Sequence, residues 1–171
     1  VAGHSLGEYV ALYAAGVFDF ESGLRLVKKR AELMDSADGG KMAALMKFDR
    51  AQLTTALNNT PDVVLANDNS EAQVVISGTP EGVENVLSQV KAKRKIALNV
   101  SGAFHSPLMQ DAAEQFLTVL ESVEFQSAKI PVLSNVEPSP TTDSQVLKNR
   151  LTQQMTSSVR WRETMLQFSQ A

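Results

Sequence analysis

Apolar residues recur at intervals of three and four from Phe20 through Leu24, Val27, Ala31 and Met34, which is one stripe of an amphipathic helix. Asp19 supplies a good N-cap, and the pattern runs to about Ala37. At about 100° per residue, Arg30 falls at the edge of the stripe while Lys28 and Lys29 point further out, so Arg30 is placed to reach a cleft. Upstream, Glu8 to Ala15 reads as a helix rich in Ala and Leu, closed by Gly16 in the place of a C-terminal cap.

Asp38-Gly39-Gly40 breaks the pattern, and the rhythm changes. It predicts a strand over Lys41 to Phe48, a helix over Arg50 to Asn58, and strands near Val63 to Ala66 and Gln73 to Ser77. A helix over Pro80 to Val90 and a strand over Lys95 to Val100 follow. Asn67-Asp68-Asn69-Ser70 reads as turn chemistry between the two middle strands. The order β-α-β-β-α-β is the ferredoxin-like arrangement, so residues 41–100 are expected to form a subdomain inserted into a core made of 1–40 and 101–171.

In that core, Ser106-Pro107 starts a helix through about Ser122, Ile130 to Val136 is a strand, Ser144 to Met155 a helix, and Arg160 to Phe168 opens another. Alternating strands and helices predict an α/β core with a mostly parallel sheet.

Composition narrows the classes. The 171 residues, 43% hydrophobic and 20% charged, suffice for a globular core. No apolar run approaches the roughly 18 residues of a membrane span, and no signal peptide is visible. Zero Cys excludes disulfides and thiolate ligands and favours a reducing compartment, and two His form no metal cluster. A net charge of -3 argues against nucleic acid, although Lys28-Lys29-Arg30 and Lys91 with Lys93-Arg94-Lys95 make two local basic patches.

The chemistry concentrates at Gly3-His4-Ser5-Leu6-Gly7. G-x-S-x-G marks a serine on a sharp turn between strand and helix, its hydroxyl exposed for attack, and a Cβ at either glycine is expected to collide with neighbouring backbone. Only Val1 and Ala2 precede the motif and no initiating Met is present, so the chain is expected to start inside a larger protein. Of the two histidines, His4 adjoins Ser5 and is poorly placed to orient onto it, which leaves His105, on a loop at the mouth of a helix, as the candidate base.

Taken in order, Gly3-His4-Ser5-Leu6-Gly7-Glu8-Tyr9, Arg30, Gly102-Ala103-Phe104-His105-Ser106-Pro107 and Gln154 resemble the bacterial malonyl-CoA:acyl-carrier-protein transacylases over essentially the whole chain. Supporting pieces include Ala66-Asn67, Ser134-Asn135-Val136 and Val159-Arg160-Trp161. The resemblance implies an α/β-hydrolase-like core interrupted by a ferredoxin-like subdomain. It implies Ser5 as nucleophile, His105 as general base, and a backbone carbonyl near Gln154 in place of a carboxylate to orient the imidazole. Asp143 follows His105, the wrong order for a hydrolase triad.

By the same resemblance Arg30 holds the malonyl carboxylate, Leu6 supplies an oxyanion N–H, Phe104 disfavours a branched acyl group, and His4 lines the pocket or supports it. No cofactor is expected. Malonyl-CoA would be the donor and the phosphopantetheine thiol of an acidic, transiently bound acyl carrier protein the acceptor, in a ping-pong reaction of fatty-acid synthesis. Lys28, Lys29, Lys93, Arg94 and Lys95 are docking candidates. A cytoplasmic monomer is expected, with a plastid or mitochondrial form also open. Members carry an N-terminal loop rich in Gly and Gln that supplies a second oxyanion donor, and a C-terminal strand and helix; neither is in this chain. An acyltransferase domain of a multidomain polyketide or fatty-acid synthase, and a non-catalytic carrier-binding module, remain alternatives.

Overall fold

Side-chain caps set where the helices begin. The carboxylates of Asp19, Asp49 and Asp143 and the hydroxyl of Thr79 each accept from an amide three residues on, opening α2 (Phe20–Asp35), α3 (Arg50–Asn58), α6 (Ser144–Gln153) and α4 (Pro80–Gln89) respectively. The computed structural model describes residues 1–170. Its remaining helices are α1 (Leu6–Ala14), α5 (Gln110–Glu121) and α7 (Trp161–Ser169), with single 3₁₀ turns at Pro107–Met109 and Gln154–Thr156.

The strands β1 (Lys41–Phe48), β2 (Val63–Ser70), β3 (Gln73–Gly78) and β4 (Ala92–Ala97) form one sheet in the order β2-β3-β1-β4, every pair antiparallel. The chain order β1-α3-β2-β3-α4-β4 is the one the periodicity predicts. Ala43 and Leu45 of β1 pack with Val74 and Ile76 against Leu53, Ala56, Val83 and Val86 of the two helices. Met42 and Ala44 point the other way and, with Ala66 and Val75, meet Leu98 and Phe104. Both faces of β1 are therefore buried, which is why it reads as a continuous apolar run. The second core joins Leu12 and Val17 to Leu26 and Leu33 of α2, Phe116 and Leu120 of α5, and Leu147 and Leu151 of α6.

Four expectations change. First, the face that α2 buries carries Leu26, Arg30 and Leu33, while Phe20 and Leu24 are exposed. Phe20 and Leu24 instead line a surface groove with Val10 and Tyr13 of α1. The rotation moves Arg30 from the edge of the stripe into the buried face. Second, Asn67-Asp68-Asn69-Ser70 is not a turn but the second half of β2, with register shifts at Leu65/Asn67 and Asp68/Ser70. Tertiary partners override the turn propensity: the Asp68 amide donates to Val159 O at 3.0 Å, and Val159 N returns a bond to Ala66 O at 2.8 Å.

Third, β4 occupies Ala92–Ala97 rather than Lys95 to Val100, pairing from Phe48↔Ala92 to Ala43↔Ala97. Its basic run lies on the sheet's edge, where charged side chains remain solvated. Fourth, Ile130 to Val136 makes only isolated bridges, Ala2↔Leu133 parallel and Val132↔Thr141 antiparallel, because these are its β partners among the described residues. Parallel pairing among the described residues is confined to two isolated bridges, Ala2↔Leu133 and Asn67↔Val159, so the architecture is mixed α/β with an antiparallel sheet.

Candidate active site

Ser5 stands between the Ala2 bridge and the start of α1, in the strained conformation φ 51, ψ -107. Its amide donates to Asn135 Oδ1 at 2.7 Å, and Gly7 N and Glu8 N close the turn onto His4 O and Ser5 O at 2.9 and 3.1 Å. A Cβ at Gly3 would lie 1.9 Å from Gly7 O, so only glycine fits there. At Gly7 a Cβ meets nothing within 4 Å. The collision expected at both glycines thus holds at Gly3 alone, because the elbow folds Gly3 against the helix start and turns Gly7 outward.

His105 also has positive φ, 55, and it is buried. Ser5 Oγ donates to its Nε2 at 2.8 Å, and its Nδ1–H donates to Gln154 O at 2.9 Å. A carbonyl can only accept, so Nδ1 carries the proton and Nε2 presents a lone pair to the hydroxyl. Burial pushes the imidazole pKa down to about 4, with the Gln154 carbonyl acting in the opposite direction and Arg30 adding to the fall. At neutral pH the ring is therefore neutral and able to take the serine proton.

Arg30 Nη2 donates to the same Ser5 Oγ at 2.6 Å. The guanidinium lies 5.5 Å from the Tyr9 ring centroid, is buried, and makes no salt bridge among the described residues; its Nε has no partner. A buried cation without a counter-ion is costly unless something else compensates it, so the arrangement is set up to receive an anionic group beside Oγ.

A polar layer lies beneath the elbow. The Gln154 side-chain amide donates to Ser5 O at 2.9 Å and to Glu8 Oε2 at 2.8 Å, and Asn135 Nδ2 donates to Gly3 O at 2.8 Å. Gln154 thus serves both residues of the pair, one through its carbonyl and one through its side chain. In the 3₁₀ turn that follows α6, that carbonyl accepts only a long bond from Ser157 N, at 3.5 Å, besides the bond from His105. Asn135 and Glu8 are not recognisable as site residues from the sequence, where the available signal is a carboxylate inside an otherwise apolar helix and an amide beside Ser134.

A family model described as an acyl transferase domain matches residues 1–171. The chain belongs to this family. It is 61% identical over 170 residues to a malonyl CoA-acyl carrier protein transacylase of Synechocystis sp., covering 99% of this chain and 58% of that protein. It is 46% identical to the polyketide biosynthesis malonyl CoA-acyl carrier protein transacylase BaeC of Bacillus velezensis, covering 96% and 59%. A crystal structure of the malonyl-CoA:ACP transacylase of Synechocystis sp. superposes with a TM-score of 0.97 at 62% identity, over 99% of this chain and 58% of that one. The chain spans under three fifths of the length of these relatives.

The acyl transferase domain places its other candidates less centrally. His4 Nε2 bonds Asn69 Oδ1 at 2.8 Å and its ring meets Trp161 edge-on at 5.3 Å, so it clasps β2 and α7 to the elbow. Phe104 lines a cavity of about 550 Å³ with Ala31, Met34, Asn99, Val100 and Ser101. Leu6 is the first residue of α1, so its N–H has no acceptor within the helix. Of the basic residues, Lys28 faces Glu32 at 3.9 Å, Lys95 Nζ donates to Leu87 O at 2.6 Å, and Lys93 and Arg94 line an open cavity with Lys47.

Proposed function

We propose that the protein to which this chain belongs transfers a malonyl group from malonyl-CoA to the phosphopantetheine thiol of an acyl carrier protein, through a malonyl ester of Ser5. The observation that carries this reading is Arg30: a buried guanidinium without a salt bridge among the described residues, 2.6 Å from the candidate nucleophile. In a malonyl ester the free carboxylate is separated from the ester carbonyl by one methylene. A guanidinium already touching Oγ is within reach of it and can hold it bidentately. An acetyl group offers that fork nothing.

In the proposed reaction His105 Nε2 accepts the Ser5 proton as Oγ attacks the thioester carbonyl, and the Leu6 N–H supports the oxyanion. CoA leaves as the thiol, taking the proton back from His105. The carrier thiol then gives its proton to His105 and attacks the malonyl ester, and Ser5 leaves with that proton. No cofactor is needed, because each step is acyl and proton transfer alone.

The partner is an acidic acyl carrier protein, bound transiently through basic residues such as Lys93 and Arg94, and the enzyme acts as a cytoplasmic monomer in fatty-acid synthesis. The antiparallel sheet with α3 and α4, residues 41–100, is read as a ferredoxin-like subdomain inserted into an α/β-hydrolase-like core of 1–40 and 101–171. Phe104, beside His105, favours malonyl over branched groups. The 46% identical polyketide relative supports a second setting for the same chemistry, in polyketide assembly.

The test is intact mass of the full-length protein after brief exposure to malonyl-CoA or acetyl-CoA. Wild type is expected to gain a malonyl adduct that Ser5→Ala abolishes. Arg30→Ala is expected to lower the preference for malonyl over acetyl by about 10- to 100-fold, the worth of a charge-assisted hydrogen-bond pair. Failure of the wild type to acylate from either donor would overturn the proposal.

A further inference from the structure

Glu8 lies in the first turn of α1 and is 1% exposed. Its Oε2 accepts from Gln154 Nε2 at 2.8 Å and from Asn135 N at 3.2 Å. These two residues hold the active pair: Asn135 Oδ1 takes the Ser5 amide, Gln154 Nε2 reaches the Ser5 carbonyl, and Gln154 O takes the His105 Nδ1–H. One carboxyl oxygen is thus the point at which both supports meet.

We propose that Glu8 is a positioning residue of this site, fixing the Ser5 backbone and the His105 ring through Asn135 and Gln154. The inference rests on the acyl-transfer reading above. Glu8 touches neither reacting atom and acts only through the two amides. The hydrogen-bond inventory bears on its charge state. Glu8 Oε1, Gln154 Oε1 and the Ser134 hydroxyl are all buried and all without a partner, the first two on groups already joined by one hydrogen bond. The Ser134 hydroxyl has one proton and can serve only one of the two acceptors, whereas a proton on the carboxyl lets Glu8 and Gln154 close as an acid–amide ring.

The neighbours of Glu8 act in both directions. Arg30 of α2, the Gln154 amide, the Asn135 amide and the Ser134 hydroxyl favour the carboxylate, and burial opposes them. Burial is the larger effect and raises the carboxyl pKa above its ordinary value. Tyr9, whose phenol burial pushes upward, is the other titratable group that feels Glu8. A neutral Glu8 also leaves Arg30 free of an internal counter-ion. The positive charge then remains available to an acyl carboxylate.

The experiment measures the rate of acyl-serine formation from malonyl-CoA in the full-length protein, from mildly acidic to alkaline pH, for wild type, Glu8→Gln and Glu8→Leu. Glu8→Gln keeps the shape and can donate to Gln154 Oε1, so it is expected to acylate within about threefold of wild type at neutral pH. It should also lack the alkaline decline that ionisation of Glu8 imposes on wild type. Glu8→Leu is expected to lose about tenfold or more in the acylation rate with KM for malonyl-CoA little changed. Glu8→Leu acylating at the wild-type rate, or Glu8→Gln falling as far as Glu8→Leu, overturns the inference. Should Glu8→Leu fail to fold, superposable pH profiles for wild type and Glu8→Gln overturn it. A wild type that takes up no acyl group would overturn the functional proposal instead.

Discussion

His105 is held by a part of Gln154 that mutation of its side chain does not remove: the Nδ1–H bonds the main-chain carbonyl at 2.9 Å. The side chain of the same residue bonds Ser5 O and Glu8 Oε2 at 2.9 and 2.8 Å. Gln154→Ala should therefore keep the imidazole tautomer while leaving two buried oxygens short of a donor. The expected result is a loss of about 1–3 kcal/mol in denaturant unfolding with acylation lowered about tenfold, as for Glu8→Leu, against a fall of roughly 10²–10⁴ in acylation rate for His105→Ala. Equal loss of rate in the two variants would show that the side chain, not the carbonyl, matters to catalysis.

Acid should act on the site through His105. Its native pKa is about 4 against an ordinary value of 6.5, because burial disfavours the cation. The imidazole is neutral above about pH 4, so the acidic limb of the acylation rate is expected there rather than near 6.5. The same shift has a stability consequence. As pH falls from 6.5 to about 4 the unfolded chain binds a proton that the native ring refuses, so stability drops through that window, by an amount on the order of 3 kcal/mol. His105→Asn should flatten that part of the curve of unfolding free energy against pH.

Asp68 joins the four-stranded sheet to α7. Its carboxylate, nearly buried, accepts from Arg50 Nη2 at 3.1 Å and from Arg162 Nε at 3.1 Å. Removing the shared acceptor leaves two half-buried guanidinium groups facing each other, so Asp68→Ala is expected to destabilise by about 1–3 kcal/mol. Arg162→Ala, which leaves Arg50 paired, should cost less. Urea unfolding of the two variants checks the order, and reversal of it would mean that the α7 contact carries the link.

How legible the site was depended on whether a residue's role was local. The G-x-S-x-G elbow announces itself because the strain at Ser5 and the close approach at Gly3 are properties of five consecutive residues. Arg30 was placed near a cleft by helical spacing, but its burial was not, since the two apolar sets on α2 compete. Leu26 and Leu33 face the core and Phe20 and Leu24 do not, which depends on what α1 and α5 present to the helix. Asn67 to Ser70 misled for a related reason: turn-forming residues enter β2 because Val159, Arg50 and Arg162 offer them partners far away in the chain.

The sequence by itself therefore determined the order of helices and strands in residues 41–100, the helix caps, and the identities of a serine, a histidine and an arginine suited to acyl transfer. The element order and the caps follow from periodicity and short-range hydrogen bonding, which act over a few residues, while the histidine and the arginine were singled out by the resemblance to a transacylase family. Only the tertiary structure decided that Ser5, Arg30 and His105 meet at one oxygen, and that Glu8, Asn135 and Gln154 support them from separations of up to 149 residues. Such contacts form when distant segments pack, and their energies depend on burial that no local pattern specifies.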